Sequence, residues 1–242
     1  MKIYLTTSNK YTHVCPIAIH FLNKYWPGQD ISLLGYDQTA TLKNLPENAT
    51  LEILGKQSDF GNSWTDALIP FFHKVPEDYF IILLDDLILL NKIDEDRIKL
   101  LEKQFLLGKA DKAVIGGGLS LSLTTKLENN LLLFNQNIDY RTTLHPSIWT
   151  KKYFLKYLKP NMTAWGFETE NNEEAKNDGA AIITNNYSYP QEPDPFLILN
   201  LYNKGRLTID EDGNVFRGGP PASRKFFNKE DLTYIWERVH AP

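Results

Sequence analysis

DYFIILLDDLILL, residues 78–90, decides how the chain is read. From Tyr79 to Leu90 the residues are apolar apart from two adjacent carboxylates, Asp85 and Asp86. Tyr79–Leu84 shows no polar alternation, which is the pattern of a strand buried on both faces of a sheet. Such a strand is central, so the two aspartates fall at its carboxyl end. In open α/β sheets that is where ligands bind. Buried carboxylates are costly unless paired or bound to a cation. A hard divalent ion, Mg²⁺ or Mn²⁺, shared with substrate phosphates accounts for both charges. A helix cap plus a solvated strand end accounts for them equally well.

Around this strand the first half alternates strand and helix. Strands are expected at Lys2–Thr6, Ile31–Leu34, Leu51–Leu54 and Lys112–Ile115. Helices are expected at Val14–Trp26, from Trp64 to about Lys74, and at Glu95–Leu107. Pro16 fits a first helical turn, Pro70 predicts a break, and Asp94 and Gly108 bracket the third helix. This rhythm predicts a mostly parallel α/β sheet. The second half loses it. Strands are expected at Leu119–Thr125, Asn130–Gln136 and Ala180–Thr184, and helices at Thr150–Leu158, Ala164–Lys176 and Lys229–Val239. Phe196–Asn203 and Arg206–Phe216 read as a hairpin, with Asp212-Gly213 as the turn signal. The chain reads as one domain over 1–242, a half of about 1–115 followed by a half of about 116–242.

The 242 residues carry a net charge of −4, so no global field favours nucleic acid or an anionic membrane. Cys15 is the only cysteine, which excludes an intrachain disulfide and fits a reducing compartment. The first residues are too short an apolar stretch for a signal peptide, and no run reaches the length of a membrane helix. A cytoplasmic location is the expectation.

A strand ending in Asp85-Asp86, preceded by Asn62-Ser63-Trp64 and a helix, resembles the GT-A-type glycosyltransferases. The strict Asp-x-Asp spacing is absent, since Leu87 stands where the second aspartate would be. A second patch, HPSIWTKKYFLKYL (145–158) followed by WGFETE (165–170), resembles a segment of bacterial and phage glycosyltransferases. The resemblance covers roughly residues 1–190. It implies a GT-A-like, Rossmann-like central sheet flanked by helices, with a mixed second half. It also implies a nucleotide diphosphate sugar as donor and Mn²⁺ or Mg²⁺ as cofactor. The acceptor hydroxyl would belong to a surface glycan, its lipid-linked precursor, or a hydroxymethylated base of phage DNA. Glu168 then matches the catalytic base, with Asp86 as the second catalytic carboxylate. Asp85 and Asp86 are the metal ligands, and His145 is a third candidate. Residues 1–115 become the nucleotide-sugar half and 116–242 the acceptor half.

Further donor contacts are expected after the first strand, at Thr6, Ser8 and Tyr11, where a plain polar turn is the competing reading. Asp59 and Trp64 flank the loop after the third strand and read also as a solvated carboxylate and a core indole. Trp165 beside Glu168 offers a sugar-packing face or a core residue. Lys152, in the basic run Lys151–Lys159, and Arg217, by the loop GGPPASRKFF, are candidate diphosphate contacts. Gly116-Gly117-Gly118 lacks dinucleotide-fingerprint spacing. A sugar nucleotidyltransferase and a non-catalytic sugar-nucleotide-binding protein are the rival functions. The first usually carries a Gly-rich basic loop near its start, and TTSNKYTH (6–13) has no glycine.

Overall fold

The computed structural model of the chain describes residues 1–116, 123–186, 196–215 and 226–240. The first half lays down β1 (Lys2–Thr6), α1 (Cys15–Tyr25), β2 (Asp30–Gly35), β3 (Ala49–Ile53), α2 (Thr65–Phe72) and β4 (Tyr79–Leu84). β5 (Leu87–Leu89), α3 (Glu95–Leu106) and β6 (Lys112–Val114) follow. The second half adds β7 (Thr124–Lys126), β8 (Leu131–Phe134), β9 (Ser147–Thr150), α4 (Lys151–Tyr157), α5 (Ala164–Thr169) and α6 (Asn172–Ala175). β10 (Ile182–Asn185), β11 (Ile198–Asn200), β12 (Tyr202–Asn203), β13 (Arg206–Leu207) and α7 (Lys229–Val239) complete it. Residues 119–122 of the expected Leu119–Thr125 strand lie outside the described residues.

The main sheet has the order β3-β2-β1-β4-β9-β6-β10-β8-β7. β1 to β4 are mutually parallel, β9 runs antiparallel between β4 and β6, and β10 is parallel to β6. This is an α/β fold with a mixed central sheet and helices on both faces. β4 shows why its run is unbroken. Ile81 and Leu83 enter the core under α1 and α3, while Phe80 and Ile82 enter the core under α2 and α4. Each such side chain contributes about 1.5–3 kcal/mol by leaving water. A third cluster joins α1, β5, β11 and α7.

β9 is the element the sequence reading lacks: the stretch before the α4 helix reads as a loop, yet Ser147–Thr150 fills the centre of the sheet. Its four residues hold Trp149 and Ile148 at zero exposure, too short a run to announce a period. The expected helix over Ala164–Lys176 is two pieces, α5 and α6. Buried Asn171 interrupts it by donating from Nδ2 to the carbonyls of Tyr157 (3.1 Å) and Phe167 (2.9 Å). The Asp212-Gly213 turn closes only the Ile209–Val215 bridge. The hairpin proper is β12–β13, turning at Lys204-Gly205, and β11 pairs instead with β5.

Asn171→Ala removes the side-chain donor to the Phe167 carbonyl and leaves the Tyr157 carbonyl with the Lys159 amide (3.0 Å). It should lower unfolding free energy by about 1–3 kcal/mol, read as a reduced denaturant midpoint at unchanged slope.

Candidate functional site

The parallel register aligns the carboxyl ends of β1 and β4. Thr6 stands opposite Leu84, so the residues after each strand meet. The amide of Asp85 donates to the Thr6 carbonyl (3.2 Å), and that of Thr7 to the Leu34 carbonyl (3.0 Å). The Thr7 hydroxyl donates to Asp85 Oδ2 at 2.5 Å. Around this junction opens a cleft of about 360 Å³. The loop after β1 gives it Ser8 and Tyr11. Tyr36, Gln57 and Trp64 form further wall, and Ala164 borders it from α5. Trp64 is fixed by donating from Nε1 to the Thr6 hydroxyl (3.3 Å), and Gln57 by accepting from the Asn9 amide (2.6 Å).

A distant stretch closes the other side. β11 pairs with β5, directly after the aspartates, and the Leu201 amide donates to the Asp86 carbonyl at 2.7 Å. That docking carries Tyr202, Lys204 and Gly205 into the cleft wall. The two-residue turn Lys204-Gly205 has positive φ at both positions, 51° and 75°, as a tight hairpin requires. Lys204 is the one cationic side chain among the described lining residues. Neither it nor Tyr202 stands out in the sequence. The available signal is the Gly205 turn, which the stronger Asp212-Gly213 turn signal masks.

Burial pushes Asp85 up to about 8, with the neighbouring Asp86 charge adding and the Thr7 hydrogen bond opposing. Burial alone raises Asp86 to about 6. Among the described residues neither carboxylate has an ion-pair partner. Asp85 is 8% exposed and sits behind, held by Thr7; Asp86 is the less buried and borders the cleft. Two hard oxygen donors beside open volume fit a divalent cation that keeps further positions for phosphate oxygens. His145 does not complete a three-ligand set: among the described residues no three His, Cys, Asp or Glu side chains are grouped to hold a metal.

Of the expected site residues, Thr6, Ser8, Tyr11, Trp64, Asp85 and Asp86 come together in this cleft. Others do not line it. Lys152 is at the wrong edge of the sheet. β9 runs against β4, so α4 starts beside Tyr79, with the Lys151 amide donating to the Asp78 carbonyl. Six strand residues, about 17–20 Å, separate that edge from Asp85. The neighbouring lysines are engaged locally, Lys156 with Asp178 and Lys159 with Glu174. Asp59 is exposed on its loop, its carboxylate accepting from the Ser58 hydroxyl (3.4 Å). Trp165 is 65% exposed and lies 6.3 Å from the Tyr140 ring, outside the cleft. Arg217 lies outside the described residues. Gly116 makes its close approach to the chain itself, since a Cβ there would stand 2.9 Å from the Phe196 carbonyl oxygen; Gly117 and Gly118 lie outside the described residues.

Glu168 also lies off the cleft lining. Its Oε1 accepts from the Leu144 amide (2.6 Å) and the Thr143 hydroxyl (2.9 Å). It thereby ties the loop entering β9 to α5. Beneath that loop, the fully buried Lys112 donates to the carbonyls of Arg141 (3.0 Å) and Thr143 (2.7 Å). Burial drives Lys112 well below the ordinary lysine range, with the Glu168 charge opposing and Arg141 assisting.

No protein-family model and no curated protein matches the chain. Solved structures with a similar course of the chain include a putative glucose-1-phosphate thymidylyltransferase from Bacillus anthracis, at 13% identity and TM-score 0.47, over 83% of this chain and 89% of that one. The galactosyltransferase LgtC with donor and acceptor sugar analogues matches at 14% and 0.38, over 64% and 60%. The bifunctional IspDF from Campylobacter jejuni matches at 14% and 0.43, over 81% and 52%, so the chain spans about half its length. At these scores the likeness carries no weight for activity, which is read from the cleft's own residues. No helix of the described residues is long and apolar enough to cross a membrane.

The raised acids set a pH dependence. An acid whose native pKa lies above its unfolded value holds its proton longer when folded, so stability falls as pH rises through the interval. For Asp85 that interval runs from the ordinary carboxylate range, near 4, to about 8. Asp85→Asn should therefore raise the melting temperature of the ligand-free protein by several degrees at about pH 8, and by much less at about pH 4. Parallel thermal melts of variant and wild type across that range read the difference.

Glu168→Ala strips the Leu144 amide of its acceptor and should cost about 1–3 kcal/mol in chemical denaturation. Glu168→Gln keeps an oxygen in place and should cost distinctly less.

Proposed function

We propose that the protein is a nucleotide-sugar-dependent glycosyltransferase, moving a sugar from a nucleotide diphosphate donor to an acceptor hydroxyl. One observation carries the reading: a buried and a half-buried carboxylate, without a cationic partner among the described residues, border a cleft lined by Tyr11, Tyr36, Trp64 and Lys204. Asp85 and Asp86 would hold a Mg²⁺ or Mn²⁺ ion. That ion supplies charge neutralisation for a diphosphate leaving group. Lys204 offers the second positive charge, and the aromatic walls suit a nucleoside. Asp86, bordering the cleft, is the catalytic carboxylate of this reading. Glu168 acts on the acceptor side through the loop it holds.

The nucleotide side belongs to about residues 1–115, with the Tyr202–Gly205 turn crossing over to close it. The acceptor side belongs to the rest of 116–242. A sugar nucleotidyltransferase is the alternative reading. It asks for a backbone cradle for a nucleoside triphosphate after β1, and Asn9–Val14 is instead a glycine-free 3-10 turn with Lys10 as its only lysine or arginine.

A thermal-shift panel of UDP, GDP, dTDP and CMP and their sugars, with and without Mn²⁺, tests this. Saturating ligand stabilises the native state by about 3 kcal/mol at a hundredfold excess over Kd, a rise of several degrees. One nucleotide should respond, and Asp86→Ala should remove the Mn²⁺-dependent part. Lys204→Ala should weaken that nucleotide about ten- to hundredfold, the size of a charge-assisted hydrogen bond. No response to any nucleotide at millimolar concentration overturns the reading. Pyrophosphate release from a triphosphate and a sugar phosphate favours the nucleotidyltransferase instead.

A further inference from the structure

A second pocket, of about 350 Å³, opens at the same carboxyl edge of the sheet. Its position follows from topology. β4, β6 and β10 all run parallel, so Asn185 at the end of β10 faces the same way as Asp85 after β4. Two strands, β9 and β6, lie between them. Three strand spacings place the pocket about 14 Å along the edge from the aspartates. α3 begins at this edge and packs on β10, which brings its first turn into the wall.

The lining is rich in amides. Asn129 and Asn130 form the turn of the β7–β8 hairpin, with φ of 60° and 59°. The Asn130 carbonyl accepts from the Asn186 amide at 2.8 Å, joining the hairpin to the end of β10. Asn185 is 2% exposed, and its Nδ2 has no hydrogen-bond partner among the described residues. A buried amide donor left unmatched is costly, so an acceptor in the pocket that the Asn185 side chain turns to meet would recover that cost.

The charges decide the ligand class. Asp94 is committed to capping α3, accepting from the Arg97 amide at 3.1 Å, and its other oxygen pairs with the Arg97 guanidinium at 3.1 Å. Asp96 is the remaining acid, exposed at the rim and 3.8 Å from Lys99 Nζ. One Arg against two Asp disfavours a phosphate. Arg97 in the wall and the lack of any three-ligand group among the described residues disfavour a divalent cation. Amides and carboxylates together, each able to hold two neighbouring hydroxyls, suit a neutral polyhydroxyl ligand, with Leu100 offering an apolar surface to its carbon face.

We infer that this pocket binds a neutral saccharide unit of the acceptor, held by Asn185, Asn186, Asn130 and Asp96. The inference rests on the glycosyltransferase reading for the word acceptor, and on the pocket's own chemistry for the word saccharide. A short chain of sugars, rather than one ring, would span the distance from pocket to cleft.

The test is a two-dimensional ¹⁵N NMR titration of the full chain with lactose, maltose and cellobiose, with inorganic phosphate and Ca²⁺ as comparators. The side-chain NH₂ signals of Asn185 and Asn186 should shift saturably with at least one disaccharide and not with phosphate or Ca²⁺. Asn186→Ala and Asp96→Ala, both away from the cleft, should each weaken that binding about three- to tenfold while leaving nucleotide-induced stabilisation unchanged. Shifts caused by phosphate or Ca²⁺ alone, or no saccharide response at millimolar to tens of millimolar concentration, overturn the inference. The nucleotide panel is read on the same sample. A nucleotide response without a saccharide response sinks this subsite and spares the cleft. A saccharide response without any nucleotide response spares the subsite and sinks the glycosyltransferase reading.

Discussion

The Asp85 carboxylate, buried behind its neighbour and held at 2.5 Å by the Thr7 hydroxyl, is the constraint around which the rest of the molecule is arranged. A charge in that place is expensive, and burial accordingly raises both acids above the ordinary carboxylate range. The fold tolerates it because β4 is apolar on both faces and anchors two cores at once. Burial along Phe80–Leu83 supplies the stability that the strand's end gives back. The same arrangement fixes position. β1 and β4 are locked side by side, so Thr7 meets Asp85 by register rather than by a flexible contact.

The antiparallel strand β9 decides what else can reach that place. Had the chain run parallel there, α4 and its lysines would start at the carboxyl edge, beside the aspartates. Running antiparallel, β9 sends Lys151 and Lys152 to the far edge and brings the loop Thr142–Pro146 to the near one. Glu168 and Lys112 then hold that loop from two sides, by its amide and hydroxyl groups and by its carbonyls. Among the described residues the positive charge lining the cleft comes from elsewhere, from Lys204 on a hairpin that docks against β5 and the Asp86 carbonyl.

This explains which parts could be read from the sequence. β1, β4, α3 and α7 carry their own signals: an unbroken apolar run, or a cap followed by a helical stripe. Asp94 caps α3 as its position suggests, and Asn228 caps α7. Thr6, Ser8, Tyr11 and Trp64 were legible because each follows or faces a strand end. β9 was not, since four residues show no period and their burial is imposed by neighbours far along the chain. The break between α5 and α6 was hidden because Asn171 finds its partners through tertiary contact with Tyr157. Lys152 misled for a related reason: a basic helical face is visible in sequence, but the sheet edge it occupies depends on strand direction. Lys204 shows the converse, a short turn whose value comes wholly from where β11 pairs.

The two pockets along one sheet edge differ in the way that two substrates would differ. The cleft at β1 and β4 concentrates carboxylates whose mutual repulsion and burial call for a cation, and it sets a lysine opposite them. The pocket at β10 neutralises Asp94 internally with Arg97 and turns amides outward from a hairpin and a strand end. An anionic ligand with its metal is favoured in the first and disfavoured in the second, and a neutral ligand has the opposite preference. On the proposed reading, two sites on one sheet edge, separated by strands, would sort such ligands by charge.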